Sequence, residues 1–124
     1  MLKFRIPPYS PPRNAWRHQI HAVARAAERS AGIRYSASDR LEVQIQLYLG
    51  RTALAIHDVD NRTKDILDAL QGRAGGSKRV RTLKPIIPND NQVYRLVIEK
   101  SLPPRQSKGF GHVEIKPQIT RQST

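Results

Sequence analysis

The chain has 124 residues, with 22 Lys and Arg against 10 Asp and Glu, and it contains no cysteine. One domain with a modest core is the expected size class, and disulfides and thiolate zinc sites are excluded. A formal net charge of +12 points to a polyanionic partner, nucleic acid before an anionic membrane surface.

Taken in chain order, Leu2–Ile6 reads as a short strand stopped by Pro7-Pro8, and the proline-rich stretch to Pro12 as an irregular loop. Asn14 is the expected cap of a helix running to Arg29 or Ser30. Its core stripe would be Trp16, Ile20, Val23 and Ala27, and Gly32 would stop it. Arg17, His21, Arg25 and Arg29 repeat at four-residue spacing along another side. That side is either a solvated face or a ridge that contacts phosphates.

Leu41 to Leu49 alternates without a break, which predicts a half-buried strand. Gly50-Arg51 should turn the chain into a second extended piece, Thr52–Ile56. That piece would deliver Asp58 and Asp60 to one side, since side chains two apart share a side in extended backbone. A helix is expected from Asn61 to Leu70 or Gln71, with Ile66, Leu67 and Leu70 inward and Lys64 four residues from both Asp60 and Asp68. Residues 72–88 form a long basic loop. Gln92–Lys100, apolar on both faces, predicts a central strand, and Gly111–Lys116 a last one. The expected fold is α+β: a mixed sheet of four to five strands with two helices on one face. It would occupy residues 1–117, before a polar tail at 118–124. No apolar run is long enough for a membrane span and MLKFRIPPYSPP lacks a signal-peptide core, so a cytosolic protein is expected.

The acids are distributed unevenly. Asp58, Asp60, Asp65 and Asp68 fall within eleven positions of a basic chain. Crowded carboxylates repel one another unless a cation lies between them. Capping and first-turn acids account for Asp60 or Asn61 and for Asp65, but not for Asp58, which precedes the cap. Asp90 alone would read as a turn aspartate. Two histidine features are weaker: His18-x-x-His21 has ligand-compatible spacing but no third ligand, and His57 adjoins Asp58.

The ordered set Asp58-x-Asp60-Asn61-x-x-Lys64, Asp68-Ala69-Leu70, then Asp90-x-Gln92-Val93 before a strand resembles the RusA family of Holliday-junction resolvases. The similarity covers roughly residues 41 to 100. Asn89 stands where the family often has an acid, and the loop before it is longer and more basic. The resemblance implies a homodimeric, nucleoid-associated endonuclease of recombination and repair, dependent on Mg²⁺ with Mn²⁺ as a substitute, which resolves four-way DNA junctions by paired nicks. It makes Asp58, Asp60 and Asp90 the metal-binding catalytic residues and Lys64 the catalytic lysine.

Arg17 and Arg25 on the first helix, with Arg73, Lys78, Arg79, Arg81 and Lys84 in the long loop, are the candidate DNA-backbone contacts. Tyr48, Tyr94 and Phe110 are candidates for a dimer surface. Two other readings are a non-catalytic nucleic-acid-binding protein, and a related nuclease acting on forks, flaps or RNA.

Overall fold

Strand alternation and glycine stops organise the chain into β1 (Leu2–Ile6), α1 (Arg13–Ala31), β2 (Leu41–Tyr48), α2 (Val59–Leu70), a short 3-10 turn (Asp90–Gln92), β3 (Val93–Ser101) and β4 (Gly111–Pro117). The computed structural model describes residues 1–49, 59–74, 83–102 and 110–118, with the backbone alone at Val59, Asp60 and Asp90. The expected turn at Gly50-Arg51, the strand Thr52–Ile56, Asp58 and most of the tail lie outside the described residues.

The four strands form one mixed sheet in the order β1-β4-β2-β3. β4 runs antiparallel to both β1 and β2, whereas β2 and β3 are parallel. The α+β architecture with two helices is as expected. The alternation in β2 decides the layering: Leu41, Val43, Ile45 and Leu47 are buried beneath the helices with Leu2, Phe4, Ile6, Val113 and Ile115. Burying side chains of this size contributes about 1.5–3 kcal/mol each. The opposite face carries Lys3, Arg5, Glu42, Gln44, Gln46, His112 and Glu114, which the strand pairing sets side by side.

Three expectations change. First, α1 begins at Arg13 and has Pro12 as its cap residue, with no side-chain cap hydrogen bond. The Pro12 carbonyl accepts from the Ala15 and Trp16 amides, and the Trp16 indole donates to the Pro7 carbonyl at 2.9 Å. The proline loop therefore replaces an Asn14 cap. Its buried stripe is Trp16, Ile20 and Ala24, with Val23 and Ala27 only partly buried.

Second, α2 begins at Val59, so Asp60 lies in its first turn. The extended-backbone reason for pairing Asp58 with Asp60 does not apply to a helical residue.

Third, among the described residues β3 stands at the edge of the sheet and not at its centre. Among the described residues its neighbour is β2 alone, and its apolar residues Tyr94 and Leu96 face solvent instead of a second layer.

Both helices end in glycine. Gly32 adopts φ 65° and Gly72 φ 79°. After α2, the Gly72 amide bonds to the Ala69 carbonyl and the Arg73 amide to the Asp68 carbonyl, closing the last turn in a Schellman arrangement. A Cβ on Gly72 would meet the Leu83 carbonyl oxygen at 2.1 Å. Only glycine lets the returning chain pass this close.

Tyr35 ties the α1–β2 connection to the sheet through a 2.7 Å hydrogen bond from its hydroxyl to the Ile115 carbonyl. Burial raises its phenol above the ordinary value of 10.0; a backbone hydrogen bond with Leu2 works against this and Asp39 adds to it. A raised phenol favours the neutral form in the fold. Its contribution is whole below about pH 10 and is lost as pH rises through the folded value. Tyr35→Phe should therefore flatten the alkaline fall in stability, read as urea midpoint against pH. An unchanged alkaline slope would refute this.

Candidate active site

β2, α2 and β3 form a β–α–β unit. β2 and β3 are adjacent and parallel, so α2 starts at the carboxyl end of the sheet and returns to the opposite end. That starting end is where α/β sheets place ligands. Asp60 stands in the first turn of α2, and Asn61 and Lys64 are exposed. Lys64 follows Asp60 by just over one helical turn, on the same face.

One turn further along α2 the chemistry is internal. Asp65 has no exposed surface and accepts from Arg13 Nε at 2.9 Å and Arg17 Nε at 3.1 Å. Arg17 also pairs with Asp68 at 3.2 Å, and Arg62 approaches Asp65 at 3.5 Å. The buried Arg62 guanidinium lies 4.0 Å from the Tyr9 ring centroid and 5.6 Å from that of Trp16, close enough for cation–π attraction. One carboxylate thus gathers three arginines and fastens α1 to α2. Asp65, expected as a first-turn surface acid, is the most enclosed charge of this helix among the described side chains. The missed signal is periodic: Arg62, Asp65, Ile66, Ala69 and Leu70 occupy one i, i+3, i+4, i+7, i+8 stripe.

Asp90 belongs to a second, rigid feature. The Gln92 side chain accepts from the Asn89 amide at 2.9 Å and donates to the Ser36 and Asp39 carbonyls, both at 2.8 Å. The Asn89 side chain in turn accepts from the Asn91 amide at 3.0 Å. These bonds lock the turn that carries Asp90. Upstream, the Ile86 and Ile87 amides bond to the Leu70 carbonyl, and buried His21 Nε2 contacts the Lys84 carbonyl at 2.6 Å.

The start of α2 and the Asp90 turn therefore lie at opposite ends of the parallel strands within one copy. Val93, just after the turn, pairs with Leu41 at the amino end of β2. Among the described residues, no three His, Cys, Asp or Glu side chains converge as a metal site. The aspartates themselves offer hard oxygen donors of the kind Mg²⁺ takes.

The basic candidates divide. Arg17 is engaged with Asp65 and Asp68, and Arg25 pairs with buried Glu28 at 2.6 Å. With His21 buried as well, three of the four expected ridge residues are occupied internally, leaving Arg29 exposed. Lys84 is exposed, Arg73 is half-buried, and Lys78, Arg79 and Arg81 lie outside the described residues. His18 is exposed while His21 is buried, so the two do not form a ligand pair; His57 is outside the described residues. Among the dimer candidates, Phe110 is buried, with its ring 5.4 Å from that of Trp16.

No family model, curated protein or solved structure matches this chain. No helix among the described residues is long and apolar enough to cross a membrane.

Removing one partner of a buried ion pair leaves the others uncompensated. Asp65→Ala should lower unfolding free energy by about 3 kcal/mol, the low end of the usual range because Arg13 stays partly solvated. Asp68→Ala should cost under about 1 kcal/mol. Equal urea midpoints for the two variants would show that Asp65 does not fasten the helices.

Proposed function

We propose that this chain is a divalent-metal-dependent endonuclease selective for branched DNA, of the Holliday-junction-resolving type that its motif resembles. The observation that carries the reading is the start of α2. Asp60 lies there in a helix's first turn at the carboxyl end of β2, with exposed Lys64 on the same face, in a chain of net charge +12.

The chemistry fits the residue types. Attack on a phosphodiester adds negative charge at phosphorus, and bound Mg²⁺ neutralises that charge and acidifies a coordinated water. Asp58, Asp60 and Asp90 are the proposed ligands. Mg²⁺ needs few carboxylates, because waters and phosphate oxygens complete its shell. Lys64 would stabilise the extra charge on the phosphate as the bond breaks. The exposed end of the long basic loop, with Lys84, would hold the DNA backbone by salt-sensitive contacts. A homodimer suits the approximate two-fold symmetry of a four-way junction, giving two sites for two nicks.

Asp60→Asn should reduce cleavage of a synthetic four-way junction in Mg²⁺ by at least about 100-fold while retaining binding, since one unmetallated carboxylate near phosphate is removed. Wild-type cleavage by that variant would remove Asp60 from the site. Metal-independent binding with no cleavage of junction, fork, flap or single strand would instead favour a non-catalytic binding protein.

A further inference from the structure

We propose that the cleft beside the Asp90 turn binds one unpaired nucleobase of a single-stranded nucleic acid, with Tyr94 as its stacking surface and Arg40 behind the ring. The cleft has a volume of about 360 Å³, and its lining includes Ser38, Asp39, Arg40, Asn89, Asn91 and Tyr94. That volume lies within the range of about 300–1,000 Å³ found for small-ligand sites.

Strand register sets the stacking surface. β2 and β3 pair Leu41 with Val93 and then Glu42 with Arg95, a slip that leaves Tyr94 without a Cα partner on β2. Irregularities of this kind re-aim a side chain. The Arg40 guanidinium carbon lies 4.9 Å from the centre of the Tyr94 ring, within the range of cation–π attraction. The guanidinium covers one face of the ring, and with Tyr94 57% exposed surface remains for a second planar group.

The walls of the cleft are braced before any ligand arrives. The buried Gln92 side chain ties the Asn89 amide to the Ser36 and Asp39 carbonyls. The Ser36 amide donates to the Asp39 carboxylate at 2.8 Å, and the Arg40 carbonyl accepts from the Gln118 amide at 2.8 Å. A ligand therefore meets two loops already fixed to each other, which lowers the ordering cost of binding.

The polar groups favour a base over a phosphate. Asp39 repels an anion, whereas a carboxylate accepts well from the amino group of a base. Asn89 and Asn91 are exposed, and side-chain amides offer donors and acceptors together, as base edges do. A base inside a duplex has both faces stacked and its pairing edge occupied, so the cleft selects an unpaired one. The phosphates stay outside, drawn to the surface by the net charge of +12.

The base site rests on this geometry alone; its bearing on catalysis rests on the nuclease reading. Asn89 and Asn91 flank Asp90, so under that reading the held base belongs to a nucleotide next to the metal-bound phosphate.

The test compares three fluorescein-labelled strands of equal length and charge: a thymidine decamer, a uridine RNA decamer and an abasic DNA decamer. Each is titrated with the full chain in EDTA and binding is read by anisotropy. Tyr94→Ala should weaken binding of at least one base-bearing strand about tenfold, and Tyr94→Phe should stay within about twofold of wild type. The abasic strand should bind all three proteins equally. The strand that shows the loss identifies the source of the base as DNA or RNA. With 5-bromouracil in the strand, ultraviolet light should cross-link the wild-type chain at Tyr94, located by mass spectrometry. Equal weakening of base-bearing and abasic strands, no effect of Tyr94→Ala on either base-bearing strand, or cross-links confined to other residues would each overturn the base site. Since metal is withheld, the outcome does not depend on cleavage. A chain that shows the predicted pattern and cuts no DNA in Mg²⁺ keeps the base site and loses the nuclease reading. One that cuts junctions while Tyr94→Ala binds every strand normally does the reverse.

Discussion

The fold depends on one buried carboxylate. Asp65, without exposed surface, takes hydrogen bonds from Arg13 and Arg17 and is approached by Arg62. In a chain with so few acids, this residue offsets much of the repulsion among the three guanidiniums that meet at the α1–α2 contact, with Asp68 assisting at Arg17. α1 lies over β1 and α2 reaches β3, so the joint between the helices also spans the sheet. The same contact fixes the direction of α2 and hence the end of the sheet at which Asp60 emerges. A stabilising contact thus sits one helical turn from the proposed chemistry.

The sheet and its helices were largely legible because burial writes a period into the chain. β2 alternates from Leu41 to Leu47, and Gly32 stops α1 in the conformation glycine favours. Where the reading failed, a tertiary partner had replaced a local signal. The Asn14 cap gave way to the Pro12 carbonyl and the Trp16–Pro7 hydrogen bond. Asp65 and Arg17 read as surface charges because each is ordinary alone; their pairing follows from meeting across two helices, 48 residues apart in sequence. β3 read as central because apolar residues on both faces usually signal burial; among the described residues it stands at the sheet edge, where Val93 and Ile98 pack on the core while Tyr94 and Leu96 stay exposed. At the candidate site, the sequence brought Asp58, Asp60, Lys64 and Asp90 into one list. The parallel β2–β3 pairing separates the α2 start from the Asp90 turn within a single copy.

Two kinds of rigidity frame the proposed site. At the start of α2 it comes from arginines held inward, and at Asp90 from Gln92, which bridges Asn89, Ser36 and Asp39. Groups that bind a small hard cation need such support, because Mg²⁺ tolerates little departure from octahedral geometry. The excess positive charge left exposed, Lys84 and Arg29 among it, is available to a polyanion. Arg17 and Arg25 hold the protein together instead.

The central claim is that this basic fold hydrolyses branched DNA with a divalent metal. Its most direct test is the product pattern from a fixed four-way junction, labelled on each strand in turn, incubated with the full chain in Mg²⁺ and in EDTA. The account predicts nicks at symmetry-related positions on two opposing strands in Mg²⁺, and intact but bound junction in EDTA. Intact strands in both conditions, with the junction fully bound, would contradict it.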